Sequence, residues 1–360
     1  MENKSQHLIN NGSNYYDALL VLSFGGPEGM DDVLPFLDNV LEGLNVPDRA
    51  KHAIAKRYHQ FDGISPINEE TRKFIAALKK DLLKNNINLP VYWGNRNWHP
   101  MLKDTFEAMH DDGVKNVITF VTSTFSSYSG CRKYREDLYV ANEALGNPFK
   151  VDKLRLGFNH PGFIEAVCSR AKDAIDKLGS FDEKETIIFF TAHSLPLSMS
   201  KHTKYVTQLK EASSLVANSL MVKKWDLIFQ SNNASYGEPW LEPDIEDAIK
   251  NLSSRGYKNL VIVPVGFVCD HMEVVLDLDI EAQSSAKESN INMVRAKTVG
   301  DHPAYISMVT SLVQERLSGD DIRPSLGSLG PSHNFCPPDC CLSGRPGPIK
   351  PSLCQAKEID

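Results

Sequence analysis

Residues Thr186–Pro196 read TIIFFTAHSLP. The run Thr186–Phe190 is apolar without alternation, rich in β-branched and aromatic residues, and closes on a polar turn. A strand covered on both faces reads this way, and such strands belong to parallel sheets flanked by helices. Ala18–Pro27, ALLVLSFGGP, repeats the pattern with a Gly-rich turn. Further short runs follow at Val91–Asn95, Asn116–Val121, Leu227–Gln230 and Leu260–Val265, and amphipathic stretches such as Glu69–Asn85 and Asp244–Asn251 separate them. The expectation is an α/β protein with parallel sheets.

There is an internal echo. Gly113-Val-Lys-Asn-Val-Ile-Thr-Phe matches Gly256-Tyr-Lys-Asn-Leu-Val-Ile-Val in kind, as Ala18–Pro27 matches Thr186–Pro196. Two similar halves are expected, 15–158 and 159–318, dividing near Gly157–Pro161. Sites in open α/β sheets lie beyond the carboxyl ends of the strands. That singles out the loops Ser23–Pro27, Ser123–Tyr134, His193–Pro196 and Gly266–Glu273. From about Ser318 the texture changes to Gly, Pro and Ser with interleaved cysteines, so 319–360 reads as a tail that is disordered or held by a metal centre.

Composition fits a folded globular chain: 360 residues, 41% hydrophobic, 24% charged, net charge −7. There is no long basic run, so nucleic acid is not an expected partner. Met1–Asn14 has no apolar leader core, and stretches such as Leu260–Val268 are too short to span a bilayer, so a cytoplasmic protein is expected. The seven cysteines then read as thiols or metal ligands rather than disulfides.

The chemistry concentrates in Pro264–Ala282, PVGFVCDHMEVVLDLDIEA. On a helix Glu273, Asp277 and Glu281 fall four apart and form one carboxylate ridge. Like charges at that spacing repel; a cation bound along the ridge resolves this, and so does a plain solvated face. The intervening Val274, Val275, Leu276, Leu278 and Ile280 argue for burial. His193 ends an interior strand, where a histidine can ligate a metal or accept a proton as well as serve structurally.

Thr191-Ala-His-Ser-Leu-Pro196, Gln230-Ser231, Trp240-Leu-Glu-Pro243 and Pro264–Glu273, in this order and spacing over roughly Asp17–Leu317, together resemble the ferrochelatases. The resemblance implies the chelatase fold, two Rossmann-like domains with a porphyrin cleft between them. It implies porphyrin and Fe(II) as substrates and haem synthesis as the setting, with downstream enzymes of the pathway as partners. It puts His193 and Glu273 together on one side of the macrocycle, with Asp277 and Glu281 continuing the metal path. Arg57, Tyr58, Ser65 and Tyr134 lie in segments similar to the family's propionate-binding segments. Phe24 takes the post-strand position where some bacterial members carry a tyrosine facing the metal, and phenylalanine cannot ligate. Leu41-Glu-Gly-Leu44 departs from relatives with basic residues there. Phe24, Phe125 and Phe267 are candidates to pack on the macrocycle or to be ordinary core.

LLVLSFGGPEGMDD, SSYSGCRKYRED and the cysteine-bearing tail are most similar to actinobacterial-type enzymes, a group that includes coproporphyrin III ferrochelatases and members with a 2Fe–2S cluster. The resemblance implies such a cluster on Cys168, Cys336, Cys340 and Cys341, with Cys131 and Cys354 as rivals and Pro324–Ser332 as the flexible run that lets the tail fold back. Zinc is the other metal that thiolates there would suit. The competing readings are a protoporphyrin IX ferrochelatase, a cobalt or nickel tetrapyrrole chelatase, and a non-catalytic haem or iron–sulphur sensor on the same fold.

Overall fold

Ala18–Ser23 forms β1, and all six of its residues are buried. It is a central strand, paired on one side with β2 (Val91–Asn95) and on the other with β3 (Asn116–Val121), beyond which lies β4 (Lys150–Lys153). The second half repeats this with β5 (Thr186–His193), β6 (Trp225–Gln230), β7 (Asn259–Val263) and β8 (Asn292–Arg295). Both sheets are wholly parallel, and their orders, β2-β1-β3-β4 and β6-β5-β7-β8, are the same pattern. The internal echo is thereby explained, because β1 and β5 hold corresponding central places and β3 and β7 follow the two matched glycines. The computed structural model describes residues 15–43, 46–179, 181–232, 237–319 and 321–354. Met1–Asn14, read above as lacking a leader core, and Leu44 lie outside them.

The edge strands β4 (KVDK) and β8 (NMVR) were not legible in the sequence. Edge strands are short and carry charge, which hides the apolar run. The first sheet draws only on residues 18–153 and the second only on 186–295. The helix Pro303–Ser318 packs against both Ile67–Lys84 of the first half and Pro161–Lys177 of the second. Arg155, on the connecting segment, donates from Nε and Nη2 to Glu315 on that last helix, 2.7 Å each, with its side chain 1% exposed. This paired geometry is the strong form of such a bridge. The main core runs between the halves, with Phe74 stacked on Phe120 at 5.5 Å and Phe125 edge-on to Phe163 at 5.9 Å. No described helix is long and apolar enough to cross a membrane.

Candidate active site and the cysteine-rich tail

The carboxyl end of β5 delivers His193, and the turn after β7 delivers Glu273. Gly266 allows the two to meet. Its amide donates to Thr191 O at 2.9 Å, and a Cβ there would lie 2.5 Å from Cβ of Ala192. Only glycine lets the loop pass that closely beside the residue preceding His193. His193 Nε2 then stands 3.4 Å from Glu273 Oε2, while Nδ1 faces Ser194 O at 2.5 Å, which fixes the ring's orientation. The HSLP turn is tied to the WLEP segment by Ser194 Oγ donating to Leu241 O at 2.8 Å and Leu241 N to Leu195 O at 2.9 Å. Tyr205 braces the site through a 3.1 Å hydrogen bond to His193 O.

Burial alone would depress the His193 imidazole. The hydrogen bond and charge of Glu273 and the Ser194 carbonyl outweigh burial and raise it to about 9. Burial would raise Glu273, but its bond to His193, aided by the charges of His271 and Arg57, holds it down at about 2. The resting pair is therefore imidazolium and carboxylate at neutral pH. Their side chains are 30% and 52% exposed, so the pair faces open space rather than the core.

The predicted carboxylate ridge exists in modified form. Met272–Val274 makes one α-turn, Val275–Glu281 is π-helical, and Ala282–Glu288 continues as α-helix. π-Turns inside helices mark functional sites more often than chance. Asp277 is 6% exposed and accepts from Gln230 Nε2 at 3.3 Å and from Ser231 Oγ. Burial first, then the charge of Glu273, raises Asp277 to about 6. Glu281, half-buried, is raised by burial and opposed by Arg57. Asp279, which lies outside the ridge, makes a bidentate pairing with Arg295, at 2.6 and 2.7 Å. Arg295 was missed in the sequence, where the only signal was a lone arginine in an edge run.

From the first half, Arg57 is exposed and close enough to act on Glu273 and Glu281, and Tyr58 feels the Glu273 charge in turn. Phe24 is half-buried at the end of β1, edge-on to Phe36 at 6.3 Å and under the Arg96 guanidinium at 5.7 Å. Ser65 (5% exposed) and Tyr134 (4%) are buried, the first beneath Gly26 and the second under Arg96. Phe125 and Phe267 are core residues, 2% and 8% exposed.

The tail is held against the body. The Pro324–Ser332 run, expected to be flexible, is tied down: Asn159 Nδ2 donates to Leu326 O and Gly330 O, both at 2.9 Å, and Glu211 accepts from Ser328 Oγ and Leu329 N. Arg132, fully buried, donates to Pro338 O and Lys350 O. Gly344 lies so near Ser198 that a Cβ would fall 2.4 Å from its carbonyl oxygen.

Four thiols form a ring of mutual electrostatic interactions, Cys131 with Cys336 and Cys341 and Cys340 with Cys336 and Cys341, and the sulphurs of Cys340 and Cys341 lie 3.5 Å apart. The expectation for Cys168 is corrected. It sits half-buried in the helix Pro161–Lys177, with its thiol toward Val216 O at 4.0 Å, and it meets none of these four thiols. That helix faces Tyr205–Ser219, whereas Cys131 lies on the π-turn Tyr128–Arg132 that carries the tail's anchor. Cys354 turns away to Val151 O at 3.3 Å. His333, not singled out in the sequence, places Nε2 3.8 Å from Cys340 Sγ, and its ligand atom lies within 4.8 Å of those of Cys336 and Cys340. Buried cations border the ring. Burial would depress the Lys153 ammonium, but the charges of Cys131, Cys336 and Cys354 raise it, and Nη1 and Nη2 of buried Arg135 have no hydrogen-bond partner.

Residues 16–317 match the family model described as Ferrochelatase. The chain is 49% identical over 329 residues to the ferrochelatase of Rhodopirellula baltica, covering 91% of this chain and 93% of that one. It is 41% identical over 357 residues to the coproporphyrin III ferrochelatase of Streptomyces coelicolor, covering 92% and 95%. Among solved structures, the sirohydrochlorin chelatase SirB from Bacillus subtilis subspecies spizizenii in complex with cobalt superposes with a TM-score of 0.51 at 14% identity, covering 85% of this chain and 97% of that one, a likeness of fold.

Proposed function

The chain belongs to the ferrochelatase family, and from that premise we propose that it metallates coproporphyrin III, with His193 and Glu273 as the pair at which iron enters the ring. The reaction is insertion of Fe(II) into a porphyrin in haem synthesis. The observation that carries the site assignment is the 3.4 Å His193–Glu273 pair, open on one side and continued inward by Asp277. Relatives named coproporphyrin III ferrochelatase, at 40–42% identity, support the choice of porphyrin. A cytoplasmic location, with enzymes that take the metallated product as next partners, goes with this reading.

A free-base porphyrin keeps two N–H protons at its centre, and both must leave as Fe(II) enters. In the resting pair His193 is already protonated. A dication arriving at Glu273 competes with the imidazolium for the carboxylate and expels its proton. Neutral Nε2 then takes the two pyrrole protons in turn, passing the first to solvent through the open side of the pair before it accepts the second, while the Ser194 carbonyl holds Nδ1–H in place. Asp277 and Glu281 offer carboxylates along one face for partly desolvated Fe(II), and Arg57, close to Glu273 and Glu281, is available for a propionate. Binding energy from the propionates can supply ring distortion. An anaerobic comparison of kcat/KM for coproporphyrin III and protoporphyrin IX tests the choice of substrate. Equal or greater efficiency with protoporphyrin IX overturns it.

Cys131, Cys336, Cys340 and Cys341 fit a 2Fe–2S cluster. The support is a closed ring of four thiols with buried cations beside it to offset thiolate charge. When bound, the cluster would supply a one-electron centre. The four cysteines would staple the tail to the Tyr128–Arg132 turn, and His333 and Cys340 would form its exposed side.

A further inference from the structure

Arg295, at the end of β8, uses all of its guanidinium. Nε and Nη2 donate to Asp279 at 2.6 and 2.7 Å. Nη1 and Nη2 donate to Asp270 at 3.2 and 3.0 Å, and Nη1 also donates to Ala296 O at 3.3 Å. These are five N–H···O bonds from a group that has five N–H donors. The side chain is 14% exposed, so the bonds are sheltered from solvent competition. Asp270 is fixed a second time by Thr298 Oγ1 at 3.0 Å.

The two carboxylates bracket the active segment. Asp270 lies three residues before Glu273, on the loop leaving β7, and Asp279 lies two residues after Asp277, inside the π-turn. Without the cation between them these like charges would repel, and the loop and the π-turn would move apart. Glu273 is exposed between the two anchors; buried Met272 and Val274 seat the apolar side of its turn on the second half's core, and the Arg295 clamp holds the polar side.

We propose that Arg295 is a positioning residue for iron insertion: its two-armed clamp on Asp270 and Asp279 holds the segment 270–279 so that Glu273 meets His193. The proposal rests on the reading of His193 and Glu273 as the reacting pair. A carboxylate displaced by about 1 Å costs on the order of 100-fold in rate. Lysine keeps the charge but offers three donors from one point, so it cannot hold both carboxylates by their edges.

The test is anaerobic steady-state kinetics with Fe(II) and coproporphyrin III varied separately, on wild type, Arg295→Met, Arg295→Lys and Glu273→Gln, each shown to be folded by circular dichroism. Arg295→Met is expected to lose about 10- to 100-fold in kcat and to raise KM for Fe(II). Its KM for the porphyrin should stay within about twofold of wild type. Arg295→Lys should fall between the two. Wild-type kcat and Fe(II) KM in folded Arg295→Met overturns the clamp, as does an equal loss in both Arg295 variants with every KM unchanged, which marks mere loss of intact enzyme. If Glu273→Gln is inactive while Arg295→Met is not, the clamp alone fails; if Glu273→Gln is active, the site reading fails. Should Arg295→Met not fold, Asp270→Asn opens one arm only. It must show the same kcat and Fe(II) KM changes at smaller size, and unchanged constants there overturn the proposal.

Discussion

His193 Nε2 lies 3.4 Å from Glu273 Oε2, one side chain at the end of β5 and the other in the first turn beyond β7, brought together because Gly266 can lie flat against Ala192. A charged pair at a half-open wall titrates as a unit, and this gives the first prediction. In Glu273→Gln the anion that does most to raise His193 is gone, and burial is opposed only by the Ser194 carbonyl and the charge of Asp277. The His193 titration, followed by NMR of labelled histidine, should fall from about 9 toward the ordinary histidine value. A value still near 9 would mean another group raises it. The pair's contribution to stability is complete between the unfolded glutamate and histidine pKa values, about 4.3 and 6.5, and is lost as pH rises through about 9, so the stability gap between wild type and Glu273→Gln should narrow from about 6.5 to 9.

Asp277 titrates near 6 because burial and the Glu273 charge both disfavour its ionised form. Below that pH it is neutral and a poor partner for a dication. KM for Fe(II) should therefore rise as pH falls through about 6, and Asp277→Asn should show a high KM that no longer changes there. A wild-type Fe(II) KM that is flat from pH 5 to 7 would remove Asp277 from the metal path.

Cys131 and Cys168 make opposite predictions for the tail. Cys131→Ser should lose the iron, sulphide and visible absorption of a 2Fe–2S centre after anaerobic purification, and Cys168→Ser should keep all three. Wild-type protein that is colourless and carries zinc in place of iron and sulphide would overturn the cluster.

Arg132 anchors the tail from a fully buried position, with Glu136 as its ion-pair partner at 3.2 Å. Arg132→Met removes two hydrogen bonds to tail carbonyls, each worth about 1.5–3 kcal/mol when the donor is charged. Limited proteolysis should then cut within 337–353 well before the body, at a protease dose that leaves the wild-type tail whole. Equal resistance would show that the cysteine ring holds the tail without Arg132.

What could be read in the sequence depended on whether a signal was local. The six apolar runs were legible because strands buried on both faces carry an unbroken hydrophobic pattern, and His193 and Glu273 were singled out by their places after such strands. β4 and β8 were not, since charged edge runs of four residues leave no periodicity. The ridge spacing of Glu273, Asp277 and Glu281 was visible, but the π-turn was not, nor was the pairing of Asp279 with Arg295, which depends on a partner 16 residues away. Cys168 was preferred to Cys131 by likeness of segment. Both are body cysteines in helical segments, and only the path of the tail, set by Arg132, Arg135 and Asn159, decides which one it meets.

The most direct test is a single-turnover measurement: His193→Ala preloaded with coproporphyrin III, mixed anaerobically with Fe(II), and followed by the porphyrin absorption bands. Porphyrin binding should stay close to wild type and metal insertion should slow by at least about 100-fold, the range expected for removal of a general base. Insertion at a near-wild-type rate in that folded, porphyrin-bound variant would contradict that role.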